Sequence, residues 1–378
     1  MAMFCNPELR EARLARLRDI MTRLELDALI LTTLENVRYA TDFRPLHGIF
    51  FVSNYVAIIK PTGKPLLLAP EADGVFIKNK LPWLDWLPLP SFVPSATGRE
   101  DQAELMFATL GKNIKRIGFD VLSIQQFHSL NNILKAEFVP VADEILYARA
   151  RKMELEVEIL ERATQFAEIG MEAVRNHLRP GVPEFELVAE AIYAIKRSGA
   201  EAESHLPAIR SGENAAIQQR VDSDAPVRPG DSVIVDLGAR FLGYSAEYCR
   251  TMVVGRPNRK LREMYKVLFE AYWAGIEEIK PGVPVASIDQ TIRRIITKAG
   301  YPDYPHATGH GIGMSNVEYP TINKTCQDRL EEGMVICLEP GIYVPGIGGV
   351  KEEDIILVTS TGRRLLTQTP YDEHLRPT

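Results

Sequence analysis

The sequence predicts an α/β (α+β) protein of two domains, and three observations carry that prediction. The chain of 378 residues exceeds the length at which a single hydrophobic core stops growing. Short strand and helix signals alternate up to about residue 150, as they do in an α/β domain. Beyond that point the chain repeats itself: a segment beginning at Arg179 returns at Lys280, 101 residues later. We therefore place a first domain at 1–150 and a second at 151–378.

In the first domain, Leu14, Leu17, Met21 and Leu24 recur at helical spacing and predict an opening helix. Glu8, Glu11 and Asp19 interrupt it with acids, unlike a signal peptide or presequence. DALILTT and NVRYATDF read as short strands, and YVAIIKPTGKPLLLAP as two strands joined across a Pro-Thr-Gly turn. RIGFD is a further strand. ARARKMELEVEILERATQFAEIGMEAV then opens the second domain as a long helix, with apolar residues at three- and four-residue steps.

The repeat organises that second domain. RPGVPEFELVAEAIYAIKRSGA matches KPGVPVASIDQTIRRIITKAG; in each, a Pro-Gly-Val-Pro turn leads into an amphipathic helix closed by a glycine, Gly199 or Gly300. Downstream, RPGDSVIVDLGA puts Asp236 six residues after Gly230, and EEGMVICLEPGI puts Glu339 six residues after Gly333. A second strand returns in each half, YSAEYCRTMVV with Glu247 and GGVKEEDIILVT with Glu353. Two similar halves thus each contribute a hairpin with one acid per strand.

Composition narrows the function classes. Hydrophobic residues at 46% and charged residues at 25% are those of an ordinary globular chain, leaving little room for disorder. The net charge of -6, with both signs interspersed, offers no basic stripe to follow a phosphate backbone, which argues against nucleic acid. No apolar run is long enough for a membrane span. Cys5, Cys249, Cys326 and Cys337 lack the paired spacing of a zinc knuckle or redox motif, so a reduced, cytoplasmic setting is expected.

Acids within strands of Val, Ile and Leu are costly to bury unpaired. With a turn near Phe241 and Leu242, Asp236 and Glu247 fall nearly opposite one another and repel unless a cation lies between them. Four acids and a histidine make an oxygen-rich ligand set suited to Mn, Fe, Co or Zn. The histidine comes from YPHATGHGIGM. Gly309, Gly311 and Gly313 rule out a helix there, so His306 and His310 are not a pair on one helical face; the glycines suit a strand or loop around His310. Any one of these acids alone reads as a surface salt-bridge partner. Recurrence at the same offset in two copies of a repeat favours a shared site.

DLGA, EYCRT, GHGIG, EPGIY and KEED, in that order over residues 150 to 370, resemble the pita-bread metallopeptidases: prolidase, Xaa-Pro aminopeptidase, methionine aminopeptidase and creatinase. The N-terminal part resembles the domain found in creatinase and prolidase. This resemblance implies a pita-bread catalytic domain with a pseudo-two-fold repeat. It implies a two-metal centre on Asp236, Glu247, His310, Glu339 and Glu353, with Glu339 and His310 the catalytic pair and Glu339 the proton shuttle. It also implies Xaa-Pro peptide hydrolysis by metal-activated water, and a homodimer in which Phe43 and Arg44 of TDFRPLHG can reach a neighbouring site. His306 joins the expected substrate-binding set.

Three positions depart from the family pattern. Glu247 stands where the second ligand is usually Asp. Gln219 and Val317 stand where substrate-contacting histidines are expected, and valine can neither donate a hydrogen bond nor carry a proton. These departures open a second reading, creatinase-like chemistry on a small C–N compound or osmolyte, possible without metal. A third, a non-catalytic peptide-binding module, is weakened by retention of the acids. Cys249 reads as a buried structural cysteine, and Arg250 and Tyr244 as packing or salt-bridge residues.

Overall fold

A computed structural model describes residues 5–44, 55–89, 98–111, 113–218 and 222–376. The chain divides into two compact units, Ala2–Ala148 and Arg149–Thr378. Among the described residues, no helix is long and apolar enough to cross a membrane.

The first unit runs α1 (Pro7–Arg23), β1 (Ala28–Leu31), α2 (Leu34–Thr41), β2 (Val56–Ile59), β3 (Leu66–Pro70), α3 (Gly74–Lys80), β4 (Asp85–Leu89), α4 (Gly98–Leu110), β5 (Arg116–Phe119), α5 (Ile124–Ile133), β6 (Glu137–Pro140) and α6 (Ala142–Ala150). Its described strands form one mixed six-stranded sheet in the order β4-β3-β2-β1-β5-β6, over a core that includes Ile30, Val56, Ile58, Leu68 and Ile117. The strands expected at DALILTT, YVAIIKPTGKPLLLAP and RIGFD are present. NVRYATDF is different: its Val, Tyr and Thr suggest a strand, yet it lies in α2. Tertiary contacts override propensity here. Buried Asp120 accepts hydrogen bonds from the backbone N–H of Thr33 and the side chain of Asn36, which fixes the first turn of that helix.

The second unit continues with α7 (Glu154–His177), α8 (Glu184–Ser198), β7 (Ala208–Ser211), β8 (Ser232–Phe241), β9 (Tyr244–Val253), α9 (Arg259–Glu278), α10 (Val285–Lys298), β10 (Gly309–Gly311), β11 (Glu318–Ile322), β12 (Val335–Leu338), β13 (Gly341–Val344), β14 (Gly348–Lys351), β15 (Asp354–Val358) and β16 (Arg363–Leu365). The long helix expected from residue 148 is broken: α6 ends at Ala150 and α7 starts at Glu154. At the break, Lys152 turns its ammonium onto buried Glu318 at 3.0 Å.

Both copies of the repeat fold alike. Pro183 and Pro284 stand immediately before α8 and α10, while Gly199 and Gly300 carry positive φ just beyond them. Each repeat packs a long helix against a shorter one, and each contact turns on a glycine of the long helix. A Cβ on Gly170 would lie 2.7 Å from the Ile195 side chain, and one on Gly275 would lie 2.4 Å from Ile292. The helices approach as closely as they do because those methyls are missing. The first pair covers the sheet β7-β8-β9 and the second borders β11-β10-β12-β15-β16, each over its own apolar cluster.

Candidate metal centre

The hairpins set the site. β8 and β9 join through Leu242 and Gly243, both at positive φ, in a tight two-residue turn. That turn lies one residue later than the sequence suggests, and the register moves by two. Asp236 is opposite Cys249, and Glu247 is opposite Gly238. The two acids are therefore diagonal neighbours on one face rather than a directly opposed pair.

In the second half, Leu338 pairs with Asp354 and Gly341 with Lys351. β12/β15 and β13/β14 thus share one register, and Glu339 and Glu353 face each other at the break between them. Reciprocal hydrogen bonds between the backbones of Cys249 and Glu353, at 3.4 and 3.1 Å, tie the two hairpins together. His310 arrives on β10, paired with Cys337 of β12. Its flanking glycines are required for close approach, since a Cβ on Gly309 would fall 2.1 Å from the Cys337 carbonyl oxygen.

The five residues singled out by sequence thus converge. His310 Nε2 lies 3.6 Å from Glu339 Oε1 and 3.9 Å from Glu247 Oε2. Its Nδ1 is 2.9 Å from the Gly311 carbonyl. A carbonyl only accepts, so Nδ1 carries the proton and Nε2 turns its lone pair to the acids.

Among them stands a residue the sequence reading left unassigned. The Lys351 ammonium is 2.7 Å from Asp236 Oδ2, 2.8 Å from Glu339 Oε2 and 3.1 Å from Glu353 Oε2. Its signal was available: it lies two residues before Glu353, so strand alternation puts both on one face. His205, Arg210 and Asn316 also escaped notice. Arg210 Nη2 is 3.7 Å from Asp236 Oδ2, and the Asn316 amide donates to Glu247 Oε2. All three lie on irregular or edge segments without a recurring pattern.

One ammonium does not balance four acids. Burial pushes the Asp236 carboxyl up, but the Lys351 ammonium, with Arg210 beyond it, outweighs burial and holds it at about 2. Glu339 is likewise penalised by burial yet ends below the usual range, chiefly through the Lys351 ammonium. Glu247 and Glu353 go the other way, raised well above that range by burial and by the neighbouring acids. Asp236 Oδ1 and Glu353 Oε1 are buried with no hydrogen-bond partner. Orphaned carboxylate oxygens beside an imidazole lone pair fit a divalent cation. Asp236 and Glu247 with His205, and Glu247 and Glu353 with His310, each have ligand atoms within 4.8 Å of one another.

The remaining expected site residues scatter. His306 is half-buried, its Nε2 3.1 Å from the Tyr343 hydroxyl, and burial lowers its pKa. Val317 is 61% exposed on the loop before β11. Gln219 lies outside the described residues. Phe43 is a core residue of the first unit, its ring against Tyr55 and Phe76, whereas Arg44 is exposed. Cys249 is fully buried, and Tyr244 donates to Glu156 at 2.6 Å.

Glu318 anchors the loop that carries Asn316. It accepts from Arg149, from Lys152 and from the Ser315 backbone, and although burial opposes its charge, these partners hold its carboxyl at about 2. A carboxylate depressed on folding stabilises fully above its unfolded pKa of 4.5 and loses that contribution as pH falls toward 2. The contribution is about 3 kcal/mol. Denaturant unfolding from pH 6 to pH 3 is expected to show a steeper loss for the wild type than for Glu318→Gln. Parallel curves would remove Glu318 from the account.

Fold and site together define a class: a pita-bread domain whose two repeat-related halves meet over a cluster of cation-binding side chains. Residues 158–360 match the model of metallopeptidase family M24, and residues 13–151 match the creatinase/prolidase N-terminal domain. The Xaa-Pro dipeptidase of Pyrococcus furiosus is 33% identical over 94% of this chain and 98% of its own. Among solved structures, a Bacillus anthracis Xaa-Pro dipeptidase superposes with a TM-score of 0.83 at 30% identity, covering 96% of this chain and 98% of that one. The Thermotoga maritima X-Pro aminopeptidase superposes at 0.84 with 25% identity, covering 95% and 99%. The chain belongs to metallopeptidase family M24.

Proposed function

We propose that this protein is a metal-dependent hydrolase of Xaa-Pro peptides. Convergence of Asp236, Glu247, His310, Glu339 and Glu353 from two repeat-related hairpins carries the reading. These five would hold two divalent ions drawn from Mn, Co, Fe and Zn. Such ions, when bound, lower the pKa of a water and polarise the scissile carbonyl.

The chain's own groups supply the rest. Glu339, kept ionised at neutral pH, takes the proton of the attacking water and passes it to the leaving nitrogen. His310 offers an unprotonated Nε2 as ligand. His306, held by the Tyr343 hydroxyl, borders the site, and Gln219 and Val317 complete the proposed substrate-contacting set. A homodimer and a cytoplasmic setting belong to the same reading, carried by family resemblance.

One observation favours a second reading, creatinase-like cleavage of a small C–N compound without metal. The Lys351 ammonium stands among three of the acids and takes over part of a cation's work. Metal content of protein purified without chelator, measured by inductively coupled plasma mass spectrometry beside His310→Ala, separates the two. Bound divalent ions that diminish in the variant, with Xaa-Pro dipeptide turnover restored by Mn or Co, are expected. Failure to bind metal even after reconstitution would overturn the peptidase mechanism in favour of the second reading.

A further inference from the structure

We propose that His205 is an additional ligand of the centre, binding through Nε2 the ion held by Asp236 and Glu247. The inference rests on the metal-dependent reading and extends it to a residue outside the five.

His205 is placed by a distortion of the sheet edge. Residues 201–204 run beside β8: Ala202 bridges Arg240, and the Ser204 backbone N–H bonds the Gly238 carbonyl. Farther on, Ala208 pairs with Asp236. From Ser204 to Ala208 is four residues, against two from Gly238 to Asp236, so the edge carries two extra residues. An irregularity of this kind re-aims a side chain. Here it is anchored by the Ser204 hydroxyl, which donates to the Ala246 carbonyl beside Glu247 at 2.9 Å.

The imidazole then points where a ligand would. Nε2 is 3.6 Å from Asp236 Oδ1 and 3.5 Å from Glu247 Oε1. Two ligand atoms sharing a tetrahedral ion at ~2.1 Å stand roughly 3.4 Å apart. Nε2 is buried and has no hydrogen-bond partner, as is Asp236 Oδ1. His205 Nδ1 is 2.9 Å from the Leu206 carbonyl, which can only accept, so Nδ1 holds the proton and Nε2 the lone pair. A lone pair facing two carboxylate oxygens calls for a positive charge between them, a proton when the centre is empty and a metal ion when it is loaded. Lys351 does not fill that place, since it engages Asp236 through the other oxygen, Oδ2. His310 shows the same tautomer device on the other side of Glu247.

A second imidazole makes the centre more favourable to Co²⁺ and Zn²⁺ relative to Mn²⁺ than carboxylates alone would. The test is titration of the full-length, chelator-stripped protein with Co²⁺, followed by visible absorption and calorimetry, beside parallel Mn²⁺ titrations. Wild type, His205→Ala and His205→Asn are compared, each with a melting curve, so that the Asn variant decides if the Ala variant does not fold. In the folded variant, Co²⁺ affinity at one site is expected to fall by at least roughly tenfold, the loss seen even for an outer partner of a ligand. The cobalt absorption should change, Co²⁺ preference over Mn²⁺ should narrow, and added imidazole should restore part of the wild-type spectrum. Unchanged affinity and absorption in a folded variant would overturn the assignment and leave the metal-dependent reading standing. A wild type that binds neither ion would overturn both.

Discussion

Glu339→Gln is expected to lower kcat on an Xaa-Pro dipeptide by about three orders of magnitude, within the range a positioned acid-base group contributes, with little change in melting temperature. Glu339 stands at the interruption between β12 and β13, its carboxylate 2.8 Å from Lys351 and 3.6 Å from His310 Nε2. Glutamine keeps its size and still accepts a hydrogen bond from Lys351, so packing is preserved. It cannot take and release a proton, and it is a weaker metal ligand than a carboxylate. Removing one negative charge also relieves repulsion with Glu247 and Glu353, whose carboxyls are raised by burial and by their acidic neighbours. Stability should therefore hold while catalysis collapses. Steady-state kinetics at saturating Mn²⁺ or Co²⁺, with metal content measured on the same sample, checks this. A variant that retains metal and loses less than tenfold in kcat would remove Glu339 as the proton carrier.

The acids of this centre were legible because two independent periodicities converge on them. The repeat marks Asp236 and Glu339 at matched offsets, and the return strands mark Glu247 and Glu353. The fold of the second unit follows from the same repeat, its turns and glycines serving equivalent places in both copies. What was not legible depends on single-residue geometry. A hairpin turn at Leu242 and Gly243 instead of one residue earlier converts an opposed pair into a diagonal one. NVRYATDF has strand-forming residues, and only the distant Asp120 shows why it coils.

Cationic and amide partners were harder to see than acids. Lys351 lies in a motif read for its carboxylates, and a lysine beside acids reads as an ordinary surface pair. Burial distinguishes it, and burial at that position depends on both hairpins closing over it. His205 sits in a stretch of mixed polar residues next to Leu206, which is 79% exposed. Only the two extra residues at the sheet edge bring its ring inward.

Arg250→Met is expected to cost about 3–5 kcal/mol of folding stability, because it removes one partner from a buried ionic cluster and leaves the other charges unpaired. Arg250 is 2% exposed and uses its whole guanidinium. Nη2 donates to Asp354 Oδ1 at 2.6 Å, Nε and Nη2 to the Thr369 carbonyl, and Nη1 to the carbonyls of Cys249 and Glu353. Asp354 is also bonded by the Tyr272 and Tyr371 hydroxyls at 2.5 Å each, and Glu352 lies 3.7 Å from Nη1. Methionine fills much of the space but supplies no donor, so five contacts to carbonyl and carboxylate oxygens vanish together. In a unit of this size the loss corresponds to a melting temperature lower by about 10 °C. Asp354→Asn in the same background should add much less than it does alone, since its partner is already gone. The damage should also reach the metal centre. Arg250 holds the Glu353 carbonyl at 2.7 Å, and Glu353 is itself an acid of the site. Weaker Co²⁺ binding should therefore accompany the lower melting temperature. A loss below about 1 kcal/mol, the range of an exposed ion pair, would mean the cluster relaxes around the missing cation and does not position Glu353.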